Sequence, residues 1–279
     1  MINNNHMPAV YVQGIFDDLR TYHIRFLQEA AQYGPVHIIL HADIPARRMA
    51  NNRLKFGQDE RRYFLENIRY VNTLSISATG ETGNLDLPEQ EANAGAFWAV
   101  LETQVTPQKE NFCQQNNLRL LVISENHLNE FPIEPHPPSA KTAAPKVMVS
   151  GCFDWVHSGH VRFFEEASQF GNLFVVVGHD ENLRLLKGKG HPLFPEQERL
   201  YWVQSIRFVK QAVLSTGKGW LDAAPEVSRF KPDIFIVNQD GDVPEKREFF
   251  KDLGIEYRVL KRKPKPGLPE RISTDLRGF

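Results

Sequence analysis

Short apolar runs alternate with amphipathic stretches along the chain, most cleanly in its second half. Residues 146–150 read as a short buried strand and 151–158 as a tight turn. Residues 159–170 place Val161, Phe164 and Ala167 on one helical face, with Gly171 expected as the C-cap. Residues 173–178 are continuously apolar, as in a strand buried on both faces of a parallel sheet. Another helix is predicted over 196–208 and another strand over 233–237. Strand–helix alternation of this kind predicts an α/β fold: a parallel sheet with helices on both faces and right-handed crossovers. Ligands of such sheets lie beyond the carboxyl ends of the strands, so the residues after Val149, Val177 and Val237 carry the interest.

The first half echoes the second. Val10, Gly14, Phe16 and Asp17 recur 137 positions on as Val147, Gly151, Phe153 and Asp154. At the same offset His23 answers His160, Arg25 and Phe26 answer Arg162 and Phe163, and Glu29 and Ala30 answer Glu166 and Ala167. Gln32, Gly34 and Asp43 then pair with Gln169, Gly171 and Asp180. One residue out of step, Glu60 and Arg61 match Glu198 and Arg199, and Ile68 and Val71 match Ile206 and Val209. Two unrelated α/β segments share apolar positions easily; they do not share Gly, Phe, Asp, His and Glu-Ala in register. A duplication accounts for the pattern. Between the copies, residues 131–145 hold five prolines and no apolar period, the composition of an extended, semi-rigid linker. The expected division is therefore 8–130, a linker over 131–145, and 146–279.

Composition narrows the class. A chain of 279 residues suits two domains, each able to bury a core. With 41% apolar and 24% charged residues it is neither disordered nor collagenous. Thirty-three basic against 34 acidic side chains leave a net charge of −1, so no bulk field draws it to nucleic acid or acidic lipid. Cys113 and Cys152 are too few for a disulfide framework. No apolar run approaches the ~20 residues of a membrane span, and Met1 to Met7 is polar and Asn-rich, without a signal core. The expectation is a soluble, cytoplasmic protein.

The candidate chemistry follows the first strand of the second copy. Gly151 would let the backbone turn sharply and approach a ligand. His157 and His160 bracket Gly159 at a helix start, where unpaired N–H groups favour anions. Imidazole N–H donors there can follow a phosphate as it gains charge. Two plainer readings stay open: solvated or N-capping histidines, and a zinc site from Cys152, His157 and His160. Neither Gly188-Lys-Gly190 nor Gly217-Lys-Gly219 has P-loop spacing.

The run Gly151-Cys-Phe-Asp154, followed by His157-Ser-Gly-His160, resembles the HxGH signature of the nucleotidylyltransferase superfamily. Leu186-Lys187-Gly188-Lys-Gly190 resembles its lysine loop, and Ser273-Thr274-Asp275-Leu276-Arg277 its Ser-Thr-x-x-Arg core, with Ile272 where a small residue is usual. The resemblance covers residues 146–279 and implies two tandem Rossmann-like nucleotidylyltransferase domains, the second catalytic. It implies transfer of a nucleotidyl group from a nucleoside triphosphate to a phosphorylated small molecule, with release of pyrophosphate. His157, His160 and Lys187 would be catalytic. Gly151, Cys152, Phe153, Gly159, Asn238, Asp240, Arg271, Ser273, Thr274 and Arg277 would bind the nucleotide, with Asp154 and Trp155 at the acceptor. Asp154 would hold the turn or the acceptor, with acid–base chemistry as its alternative, and Trp155 could be core; Arg262, in the basic run from Lys261 to Lys265, could cover the triphosphate or be solvated. No protein metal site is implied; Mg²⁺ would arrive with the nucleotide.

Tandem copies resemble CTP:phosphoethanolamine cytidylyltransferases and favour CTP and a phosphorylated alcohol. The run from Lys187 to Pro192 also resembles sugar-phosphate adenylyltransferases, which keeps ATP as an alternative, and a silent nucleotide-binding module is a second. The first copy has Arg20 for His157 and Tyr22 for Gly159, and lacks the lysine loop and Ser-Thr-x-x-Arg core. It reads as a degenerate, non-catalytic copy, packed on the second as an intramolecular pseudo-dimer, alone or within a homo-oligomer.

Overall fold

A computed structural model of the chain describes residues 7–79, 84–86, 95–133, 143–273 and 276. Most of the proline-rich segment, 134–142, lies outside them, as do Thr274 and Arg277. The chain divides into two compact units, Met1–Phe131 and Pro132–Phe279.

In the first unit the elements are β1 (Val10–Gly14), α1 (Thr21–Ala30), β2 (Val36–His41), α2 (Asp43–Met49), α3 (Gln58–Glu66), β3 (Val71–Ser77), β4 (Phe97–Leu101), α4 (Pro107–Gln115) and β5 (Arg119–Ile123). All strands pair in parallel, in the order β3-β2-β1-β4-β5. The second unit runs β6 (Lys146–Gly151), α5 (Ser158–Ser168), β7 (Asn172–Val177), α6 (Asp180–Lys187), α7 (Glu196–Gln204), β8 (Val209–Leu214), α8 (Ala224–Phe230), β9 (Ile234–Asn238), α9 (Pro244–Asp252) and β10 (Glu256–Leu260). Its sheet is also wholly parallel, in the order β8-β7-β6-β9-β10, which matches the first strand for strand. Such a sheet reverses its direction of growth beside β1 and β6, where a crevice opens.

Both faces of the second sheet are buried, as its continuous apolar runs demand. Met148, Phe174, Val176 and Phe235 pack with Val227 of α8 and Phe250 of α9. The alternate residues Val147, Val149, Val175 and Val177 face the other way along the pleat and are equally buried. In the first unit Tyr11, Ile39, Trp98 and Val100 form the matching layer with Cys113 and Leu118.

Two helix ends differ from expectation. The C-cap of α5 is Gln169, not Gly171. Gly171 instead permits a close backbone approach: a Cβ there would lie 2.2 Å from the carbonyl oxygen of Pro145, at the entry to β6. The helix expected to reach 208 stops at Gln204, because Ser205 turns its hydroxyl back onto the Tyr201 carbonyl and the chain folds directly into β8.

Candidate active site

The turn after β6 is built by Phe153, whose φ of +48° takes the left-handed bend. Its ring folds back beneath the strand end, where a Cβ on Gly151 would stand 2.8 Å from it. Gly151 therefore makes room for this ring, and the sharp bend belongs to its neighbour. The ring packs against Phe164 (centroids 5.1 Å apart) and His160 (5.5 Å), so it holds a histidine in place from below. Asp154 is 4% exposed, and its carboxylate is fully engaged. It accepts from the backbone N–H of Leu193 at 2.6 Å and of Phe194 at 3.3 Å, and from Nδ1 of His191 at 2.7 Å. Asp154 thus ties the segment after α6 to the turn. Arg199 fastens the same corner from within, donating to Cys152 O, Phe194 O and Asp180.

The two histidines do cap α5, and that is what arms them. Nδ1 of His157 accepts the Gly159 N–H at 3.2 Å, and Nδ1 of His160 accepts the His157 N–H at 3.3 Å. A backbone N–H can only donate, so each neutral ring must carry its proton on Nε2. The rings lie 4.0 Å apart, tilted by 37°. His157 is 1% exposed, and its Nε2 is buried with no hydrogen-bond partner among the described residues. Burial, helped by Arg262 and Arg271, holds His157 down to a pKa of about 3. His160 is likewise driven well below the usual imidazole range, by burial first and then by His157, Arg262 and Lys187. The result is a pair of neutral N–H donors with at least one unmet, a costly arrangement unless an anion completes it.

These donors open into a cleft of about 370 Å³ at the carboxyl ends of β6 and β9. Gly151, Cys152, Phe153, Asp154, Gly159, Lys187, Asn238, Asp240 and Ser273 line it with the histidines. Lys187 is the exposed last residue of α6. Arg262 also faces the cleft, joined to Asp240 at 2.6 Å and to the Arg271 carbonyl at 3.1 Å. The Ser273 hydroxyl donates to the Trp155 carbonyl at 3.3 Å, which hooks the C-terminal segment over the turn.

Two expected contacts fall outside the lining. Arg271 is not among the lining residues, although its charge reaches His157, and the Trp155 ring packs edge-on with Phe194 at 5.8 Å. The tryptophan that does line the cleft is Trp220, which is 57% exposed. Among the described residues no group of three or more His, Cys, Asp or Glu side chains could hold a metal ion, which removes the zinc reading of Cys152, His157 and His160.

The sequence motifs do not single out Asn182, Trp220, Asp222 or Lys246, all of which line the cleft. Burial lowers the Lys246 ammonium, and the Asp222 carboxyl is raised by burial although it is hydrogen-bonded to Ser215 and Asn182. A signal for Lys246 existed. Pro107 and Lys109 at the start of α4 recur as Pro244 and Lys246 at the start of α9, again 137 positions apart.

Residues 148–274 match the family described as cytidylyltransferase-like. An FAD synthase of Pyrococcus horikoshii is 33% identical over 119 residues, which cover 42% of this chain and 78% of that protein. The chain belongs to the cytidylyltransferase-like nucleotidyltransferases. An FAD synthase of Methanosarcina mazei is 34% identical over 136 residues, covering 48% of this transferase and 79% of its relative. The bifunctional protein HldE of Alcanivorax borkumensis is 32% identical over 117 residues, 41% of this chain and 24% of that one. This is an enzyme of nucleotidyl transfer, and no helix among its described residues is long and apolar enough to cross a membrane.

Proposed function

We propose that the second unit transfers a nucleotidyl group from a nucleoside triphosphate to a phosphorylated small molecule. An acceptor phosphate oxygen attacks the α-phosphorus, the bond from that phosphorus to the β-bridging oxygen breaks, and pyrophosphate leaves with the electron pair. The observation that carries this is the pair of neutral Nε2–H donors of His157 and His160, one buried and unmet, beside Lys187. Donors fixed in advance follow charge as it builds on the phosphates without reorganising, and the remaining task is to hold the reactants in line. Lys187 and Lys246 supply positive charge to the phosphates, Asn238 and Asp240 meet the base, and Ser273 with Thr274, Arg271 and Arg277 holds the triphosphate tail.

The three carboxylates that line the cleft among the described residues form no cage: Asp154 is spent on its loop, Asp240 on Arg262, and Asp222 on Ser215 and Asn182. That donor set suits Mg²⁺ riding on the triphosphate, where it would offset phosphate charge.

The relatives named FAD synthase support ATP as the donor and a flavin phosphate as the acceptor. The tandem arrangement supports a second reading, CTP with a phosphorylated alcohol. The first unit serves as the non-catalytic copy in either case. Pyrophosphate release across the four nucleoside triphosphates, each with FMN, sugar phosphates and phospho-alcohols, tests both. Release with ATP and FMN is expected; release only with CTP selects the second reading; release with no pair rejects nucleotidyl transfer.

A further inference from the structure

The first unit keeps a cavity where the second keeps its active site, and it is the larger of the two, about 660 Å³ among the described residues. It opens at the carboxyl ends of β1, β2 and β4, and its volume falls within the ~300–1,000 Å³ typical of small-molecule pockets. Phe16, Tyr22, Phe26 and Trp98 supply aromatic walls. Two imidazoles also line it. Nδ1 of His23 accepts the Arg20 N–H at 3.0 Å, so the neutral ring carries its proton on Nε2, and burial keeps it neutral with a pKa of about 4. His41 is 1% exposed, and its Nδ1 has no hydrogen-bond partner among the described residues. By the 137-residue offset His41 occupies the place of Gly178, so this ring is a polar group that the second unit lacks.

Charge distinguishes the cavity from the cleft. Lys109 is the one Lys or Arg among its described lining residues, and its ammonium is already donating to the Gln104 carbonyl at 2.8 Å. Arg20, which replaces the first histidine, is not in the lining and is paired with Asp18 at 2.9 Å. Asp17, the one acidic residue of the lining, is held by the N–H groups of Lys55 and Phe56. The cleft of the second unit instead presents Lys187, Lys246 and Arg262. A triphosphate would enter the first cavity with its charge largely unmet, whereas a planar heterocycle finds aromatic faces and two imidazole nitrogens.

We propose that this cavity binds an uncharged, nucleoside-sized heteroaromatic molecule. Equilibrium dialysis of the full chain against adenosine, cytidine and riboflavin, and separately against ATP and CTP, tests it. At least one of the uncharged probes should be retained. Ala50→Trp and Gln108→Trp, which add bulk at half-buried and exposed rim positions, should each weaken that retention at least tenfold with the melting temperature preserved. If one of the two fails to fold, the other decides. Lys187→Ala should leave retention of the uncharged probe within threefold, while ATP and CTP should follow the opposite pattern. Three results would overturn the proposal: no uncharged probe retained at about 1 mM, retention indifferent to both rim substitutions, or triphosphate binding that falls with them as far as the uncharged probe does.

Discussion

His157 and His160 each spend Nδ1 on a backbone N–H and keep Nε2–H on the other side of the ring, so capping and the proposed catalysis use opposite edges of one ring. His160→Ala therefore removes both. Loss of a donor of this kind costs about 10²–10³ in turnover, and loss of the cap about 1 kcal/mol of stability. Pyrophosphate-release rates together with thermal melting should show a folded protein with that deficit. The depressed pKa values also give stability a sign. His157 and His23 titrate at about 3 and 4 in the folded chain, below the ~6.5 of an unfolded imidazole. Between those values the unfolded state binds more protons, so stability rises with pH across the window and is lost as pH falls through it. Urea unfolding from pH 7 to 4 should show this loss. His157→Asn, which keeps a capping side chain, should make the dependence shallower; an unchanged slope would remove His157 from the account.

At the scale of elements, glycines and buried arginines set how strand, turn and helix meet. A Cβ on Gly171 would overlap the Pro145 carbonyl at 2.2 Å, and one on Gly34 would overlap that of Pro8 at 2.0 Å, so the two units make the same close approach. Gly171→Ala and Gly34→Ala should each cost about 1–3 kcal/mol, the range of overpacked positions, read as a shift of the urea midpoint. Arg61 and Arg199, at 1% and 2% exposure, likewise do the same work twice, each bridging the turn after the first strand to an aspartate at the start of α2 or α6. The Glu-Arg pairs were visible as a repeat in the sequence, but their burial was not, since arginine usually reads as surface. The strands and the HxGH turn were legible because apolar runs and a Gly-Phe-Asp motif are local signals. Trp220, Asp222 and Lys246 carry no such local signal, because only the parallel sheet order brings the segments after β6, β8 and β9 together at one end, and Lys246 shows in the sequence only as the repeat of Lys109. Gly171 was misread for a related reason: a glycine after a helix ordinarily means a C-cap, and its close neighbour here is Pro145, which precedes β6.

At the scale of the whole molecule, two units with one strand order have kept the scaffold and diverged at the strand ends. The proposed division of labour is that only the second unit carries out transfer. Its sharpest test is to rebuild the motif where it is missing, in a chain whose own site has been disabled. In a His160→Ala background, Arg20→His with Tyr22→Gly restores His-x-Gly-His to the first unit, since His23 is already present and its Nδ1 already accepts from residue 20. The imidazole pair alone does not neutralise a triphosphate. Lys109 is the single cation among the described lining residues of that cavity, and it is engaged with Gln104. The lysine loop and the Ser-Thr-x-x-Arg segment have no counterpart in the first copy. Positioning and charge both remain short, and these carry most of the catalysis of phosphoryl and nucleotidyl transfer. Pyrophosphate release by the triple variant should therefore stay within a few-fold of His160→Ala alone. Recovery to within tenfold of the wild-type rate would mean that the first unit had lost only its histidine pair, and that its other residues still form a transferase site.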